Sequence, residues 1–195
     1  IAVGYGSAAT DCITGERLFR DRSCFRLRGA DFEIPLCGRM NVTNAAMAAL
    51  AAGHFGIGPA RAAEALSRFA GVVNRQEERQ IGGIVLVRDK ASHPRALVEL
   101  ACAMRQRFPG RRLLSVIQPR ATGGRNWIYQ RDLPAALAGF DEVILSGSYE
   151  HKPQQRPAWA ADPFCQDLLA AGLKSLGVDV SVARDAMDLR SSVAG

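Results

Sequence analysis

Lysine is nearly missing from this sequence: Lys90, Lys152 and Lys174 stand alone among 25 basic side chains. The net charge of +6 and the pI of about 9.4 therefore rest on arginine. Arginine grips phosphates and carboxylates with a planar two-pronged fork, so an anionic small-molecule partner fits, as does a genome that favours arginine codons. No basic run is interleaved with aromatics, so a nucleic-acid partner is not expected. CxxC pairs are also missing, and the five cysteines are odd in number. They read as small thiols of a reducing compartment, not as a disulfide frame or a zinc site. No apolar run approaches the roughly 20 residues that cross a membrane, and no charged-then-apolar leader opens the chain. The protein is expected to be soluble and cytoplasmic, without a membrane partner; oligomeric state is not legible. Phosphate-cradling and nucleophile motifs are absent as well. Gly172-Leu173-Lys174-Ser175 has the wrong spacing for a P-loop and falls inside a predicted helix. There is no glycine fingerprint after a strand, no HExxH and no GxSxG. No catalytic residue and no metal ligand are assigned.

With 195 residues, 48% hydrophobic and 23% charged, the chain can fill one generous domain or two small ones. Residues 1–5 are strand-like and 6–14 loop-like. Residues 24–28 and 32–36 alternate around a turn at Gly29-Ala30-Asp31, which predicts a hairpin. An alanine-rich helix is predicted over 41–54, with Ala45, Ala49 and Gly53 on a face that admits a close neighbour. A second helix starts at Pro59 and presents Ala62, Leu66 and Phe69. Beyond Gly71 the pattern changes. Short apolar strands at 84–87, 113–117, 143–145 and 178–182 alternate with helices at 94–108, 133–137 and 164–176. That alternation predicts a parallel sheet covered on both faces.

Polar residues at the ends of these elements are the candidate ligand contacts. Asp89 and His93 follow the strand at 84–87. A carboxylate there can accept both ribose hydroxyls, but Asp89 or Ser92 can equally cap the next helix. Arg120 follows the next strand and suits a carboxylate or phosphate, or simply water. Asn41 and Asn44 open the alanine-rich helix, as a cap and a surface amide or as paired amides for a ligand edge.

Read in order, four segments carry a resemblance. Gly38-Arg39-Met40-Asn41-Val42-Thr43-Asn44-Ala45-Ala46 resembles the G-x-H-N-x-x-N-A-x-A stretch of the Mur ligases. Phe69-Ala70-Gly71-Val72-Val73-Asn74-Arg75-Gln76-Glu77 resembles their F-x-G-V-x-x-R-x-E junction. Residues 88–94 are similar to D-Y-A-H-H-P. Pro109-Gly110-Arg111-Arg112 leading to Gln118-Pro119-Arg120-Ala121-Thr122 resembles P-G-R-R…E-P-R-S-x-T, and with 125–137 it points to the murein-peptide-recycling branch. The resemblance implies an α/β fold. The end of the central ATPase domain (1–70) would be followed by a Rossmann-like C-terminal domain with a mostly parallel sheet (71–195), truncated or divergent at its end.

It also implies an ATP-dependent ligase that joins UDP-N-acetylmuramate to a murein tripeptide through an acyl phosphate. Asn41 and Asn44 would contact adenine, Arg75 the nucleotide from the junction, and Asp89 the ribose. His93 and Arg120 would line the side receiving the peptide. The P-loop, the Mg²⁺ ligands and a carbamylated lysine are expected upstream of Ile1, so these residues alone are expected not to ligate. Met40 stands in place of the histidine, Lys90 and Ser92 in place of a tyrosine and a histidine, and Gln118 in place of a glutamate. These departures keep two alternatives open. One is a binding module without ligase activity; the other is a ligase with another acceptor, such as L-alanine or a cyanophycin or folylpolyglutamate substrate.

Overall fold

The computed structural model describes residues 2–118, 126–146, 166–183 and 188, with 126–130 described by backbone only. Packing divides the chain into two compact units: Ile1–Lys90 with Cys102–Pro109, and Ala91–Ala101 with Gly110–Gly195.

The first unit opens with a parallel pair, β1 (Val3–Gly4) and β2 (Asp11–Cys12), followed by an antiparallel sheet in the order β3-β4-β5. Its strands are β3 (Thr14–Leu18), β4 (Ser23–Leu27) and β5 (Ala30–Ile34). Phe25 and Leu27 of β4, with Phe32 and Ile34 of β5, point inward, while Arg26, Asp31 and Glu33 point to water. That is the period-2 pattern of a half-buried sheet. Phe25 lies directly opposite Phe32, and their rings stack with centroids 4.8 Å apart. Helix α1 (Arg39–Gly53) covers this face with Val42, Ala45, Ala46, Ala49 and Leu50. Ala45 and Ala49 sit on the close-approach face as expected, but Gly53 is exposed. In α2 (Pro59–Leu66) Ala62 is buried and Leu66 half-buried, whereas Phe69 lies beyond the helix end and is exposed.

Two expectations for residues 1–34 need correction. The turn of the expected hairpin, between β4 and β5, is Arg28-Gly29, so β5 begins at Ala30, inside the expected turn. Both turn residues have positive φ, 48° and 77°, the two-residue geometry whose twist matches the flanking strands. Residues 6–14 are not all loop either, because β2 and the start of β3 lie there.

A separate hairpin, β6 (Glu77–Ile81) and β7 (Ile84–Arg88), pairs antiparallel across Gly82-Gly83. The run at 84–87 is therefore not a strand of the parallel sheet. It pairs with a polar strand, Glu-Glu-Arg-Gln-Ile, that hydropathy does not reveal. Burial alternates along it, with Ile84 and Leu86 exposed.

In the second unit β8 (Leu114–Ile117), β9 (Glu142–Ser146) and β10 (Asp179–Ala183) form a parallel sheet in the order β10-β9-β8. Val143, Ile144 and Leu145 are fully buried, as a central parallel strand requires. Helices α4 (Asn126–Leu137) and α5 (Gln166–Ser175) add Leu133, Leu137, Leu169 and Leu173 to this core. The expected helix at 133–137 starts seven residues earlier, with Pro134 inside it. A mid-helix proline removes one backbone donor and ordinarily reads as a boundary. Helix α3 (Pro94–Arg107) is shared, with 94–101 in the second unit and 102–107 in the first.

Candidate functional site

The site grows from a glycine. Gly38 precedes α1 with φ 92° and ψ 143°, a conformation open almost only to glycine. A Cβ placed on it would lie 2.7 Å from the Cβ of Ala103 in α3, so a side chain cannot be added without displacing the helix. This double constraint fixes the first turn of α1. The Asn41 backbone N–H donates to the Gly38 carbonyl at 3.0 Å. Its side-chain Nδ2 donates to the Cys37 carbonyl at 2.8 Å and to Gln76 Oε1 at 3.2 Å. The Cys37 thiol also points at Gln76 Oε1, 3.5 Å away, and burial pushes its pKa up, so it stays a neutral donor.

Gln76 lies in a tight segment between Gly71 and β6. Asn74 and Gln76 both have positive φ, 58° and 47°, which is uncommon outside glycine. Side chains and backbone hold the segment. The Asn74 N–H donates to Glu77 Oε2 at 3.1 Å, and the Arg75 N–H to the Val72 carbonyl at 3.0 Å. That backbone donor first, and Arg79 second, hold the Glu77 carboxyl below the usual carboxylate range.

The Gln76 N–H donates to Asp89 Oδ2 at 2.9 Å. Arg75 Nη1 stands 3.7 Å from Asp89 Oδ1, an ion pair in which the carboxylate is 7% exposed and the arginine 56%. Gln76 thus joins the amide of α1 to the carboxylate after β7, and the arginine beside it leaves most of its fork in water.

Of the residues singled out from sequence, Asn41, Arg75 and Asp89 are brought together within the first unit. Asn44 lies one turn along α1 and is exposed. His93 belongs to the second unit, where it caps α3: the Leu97 N–H reaches its carbonyl at 3.0 Å, and the Arg95 N–H its Nδ1 at 3.3 Å. Arg120 lies outside the described residues. Gln76 was not foreseen. Its role rests on a backbone N–H and a left-handed conformation, and the only sequence signal is its place inside the junction segment. Among the described residues no group of three or more His, Cys, Asp or Glu is placed to hold a metal ion. An amide, a buried carboxylate and a half-exposed arginine can instead meet a base edge, vicinal hydroxyls and phosphate oxygens.

No protein-family model matches the chain. It is 37% identical over 112 residues, 56% of the chain and 24% of the relative, to UDP-N-acetylmuramate--L-alanyl-gamma-D-glutamyl-meso-2,6-diaminoheptandioate ligase of Escherichia coli. It is 34% identical over 159 residues, 76% of the chain and 32% of the relative, to UDP-N-acetylmuramate--L-alanine ligase of Halorhodospira halophila. The solved UDP-N-acetylmuramate-alanine ligase of Thermotoga maritima superposes with TM-score 0.75 at 19% identity, covering 95% of the chain and 40% of that structure. The chain belongs to the Mur ligase family.

It spans about a quarter to a third of the length of these curated relatives. The α/β fold with a parallel sheet is that of the Mur ligases. Three of the four Mur-like segments contribute to one bonded set: Asn41 from the first, Arg75 and Gln76 from the second, Asp89 from the third.

Proposed function

We propose that this chain supplies the adenosine-holding part of an ATP-dependent ligase, and that the full-length protein joins UDP-N-acetylmuramate to a murein peptide. The linked set Asn41–Gln76–Asp89–Arg75 carries this reading. Asn41 would face the adenine edge with Asn44 beside it on α1. Asp89, already fixed by a backbone N–H, would accept the ribose hydroxyls. Arg75 would reach phosphate oxygens as charge moves onto them. His93 and Arg120 are proposed to line the side that receives the peptide, and the junction near 70–71 to separate the central from the C-terminal domain. ATP, when bound, supplies the phosphoryl group that activates the muramate carboxylate, with Mg²⁺ held by residues outside this chain. Because the 195 residues contain no P-loop, they are proposed to be inactive alone. No helix among the described residues is long and apolar enough to cross a membrane, and the proposed setting is the cytoplasm.

The murein-peptide acceptor draws support from the 37% identity to the Escherichia coli ligase. L-alanine is the second reading, because the similarity to the L-alanine ligase of Halorhodospira halophila runs over a larger share of the chain, 76% against 56%. Met40, Lys90 and Ser92 support a third reading, a nucleotide-binding module without ligase activity. Phosphate release by the full-length protein with UDP-N-acetylmuramate and either acceptor distinguishes all three. Release with the tripeptide supports the first reading, release with L-alanine alone the second, and release with neither the third.

A further inference from the structure

We infer that Gln76 is a positioning residue: it holds the Asn41 amide with its carbonyl end toward the ligand, and so favours a base with an exocyclic amine over a 6-oxo purine. The inference rests on the nucleotide-binding reading of Asn41 and Asp89. Donor and acceptor polarity sets the Asn41 amide, beginning at a group whose polarity is fixed. A backbone carbonyl can only accept, so the Asn41 atom 2.8 Å from the Cys37 carbonyl is Nδ2. The second hydrogen of that amide points to Gln76, 3.2 Å away, which must face it with Oε1. The same oxygen takes the Cys37 thiol. Both amide hydrogens of Asn41 are thus engaged inside the protein, and the end left to a ligand is Oδ1, an acceptor. The N6 amine of adenine can donate to it. The O6 of hypoxanthine or guanine would meet it oxygen to oxygen.

A second observation separates this role from a purely structural one. Gln76 Nε2 is buried and, among the described residues, has no hydrogen-bond partner. Burying a polar group unpaired opposes folding. A residue kept only for packing could be leucine, which fits the same space and brings no unpaired donor of its own. What the glutamine supplies is Oε1, at the cost of Nε2, and Oε1 serves the orientation of Asn41. Its backbone N–H to Asp89 is untouched by side-chain substitution.

The test uses the full-length protein, with ATP and ITP as probes and calorimetric Kd as the readout. ITP keeps the ribose and phosphates and exchanges the amine for an oxygen. The wild type is expected to prefer ATP by about tenfold or more, the order a lost hydrogen bond against a fixed acceptor gives. Gln76→Leu leaves Asn41 anchored only at Cys37, and should cut that ratio by about fivefold. It exchanges one unpaired donor for another, so its Tm should stay within about 3 °C of the wild type. Gln76→Glu keeps an oxygen facing Asn41 and should hold the ratio within about twofold. An unchanged ratio in Gln76→Leu, where Asn41→Ala lowers it, overturns the inference and leaves the nucleotide reading intact. If Asn41→Ala and Asp89→Ala both leave ATP affinity unchanged, the reading falls and the inference with it. Should Gln76→Leu fail to fold, a lost ratio in Gln76→Glu overturns the inference instead.

Discussion

In the first unit, the sheet β3-β4-β5 and α1 close over two stacked phenylalanines, yet the same unit holds Asp11 at 8% exposure against Arg28 and the chain of bonds from Asn41 to Asp89. In the second, β9 presents Val143 and Leu145 to helices that answer with leucine. The non-glycine residues with positive φ among those described, Arg28, Asn74 and Gln76, all fall in the first unit. Of the three, Gln76 belongs to the bonded set and Asn74 borders it. Strain and buried polarity persist only where the surroundings over-determine them, and they gather where a ligand is to be held.

The strongest probe of this contrast is core truncation. Phe25→Ala in the first unit should cost about 3–5 kcal/mol, and Leu145→Ala in the second about 2–5 kcal/mol, each from lost transfer energy plus a cavity. Hydrogen exchange, read separately over α1 and over β9, should show each substitution loosening its own unit first. Equal loss in both would mean that two packing units behave as one cooperative body.

Gly38→Ala should come next, at about 2–4 kcal/mol: alanine is strained at φ 92°, and its Cβ would meet Ala103 at 2.7 Å. The partner measurement is Gly139→Ala in the second unit, where a Cβ would also come 2.7 Å from a neighbour, Ala101, but positive φ is not involved. The difference in urea midpoint between the two variants isolates the backbone share. A larger loss for Gly139→Ala would show that crowding alone explains both positions.

Asp89→Ala in the full-length protein should raise the KM for ATP by roughly 1–3 kcal/mol of lost hydrogen bonding, about 5- to 150-fold. His93→Ala, in the second unit, should leave the ATP KM within about twofold and act on the peptide acceptor instead. The reverse pattern would move the nucleotide contacts out of the first unit.

How much of this was legible in the sequence follows the same division. The parallel strands and their helices announced themselves because continuous apolar runs bounded by turn residues have few other uses. The hairpin β6-β7 did not, because Glu77–Ile81 is polar and gains its strand from a partner, although Gly82-Gly83 was a turn signal that could have been read. Asn41, Arg75 and Asp89 were singled out through ordered motifs. Gln76 was hidden because its contribution is an N–H and a backbone angle, neither of which a residue type announces.

The smallest expected effect is that of acid. Arg28 hydrogen-bonds the Asp11 carboxylate at 2.6 and 3.1 Å and holds its pKa below the usual value. Arg26 does the same for Asp31, and the Asn74 N–H with Arg79 for Glu77. A carboxylate whose folded pKa is depressed contributes stability that is fully present above its unfolded value, about 4, and is lost as pH falls through the folded value. The first unit should therefore loosen below about pH 4. In the second unit the matching group among the described residues is Asp132, lowered by Arg131 at the surface, where water screens the pair. Asp31 is screened in the same way, its side chain being 77% exposed, so Asp11 should dominate. Hydrogen exchange at pH 5 and pH 3 should show the protection of α1 falling more than that of β9. Asp11→Asn should lower protection at pH 5 and flatten its fall toward pH 3. If β9 opened first in acid, depressed carboxylates would not be what separates the two units.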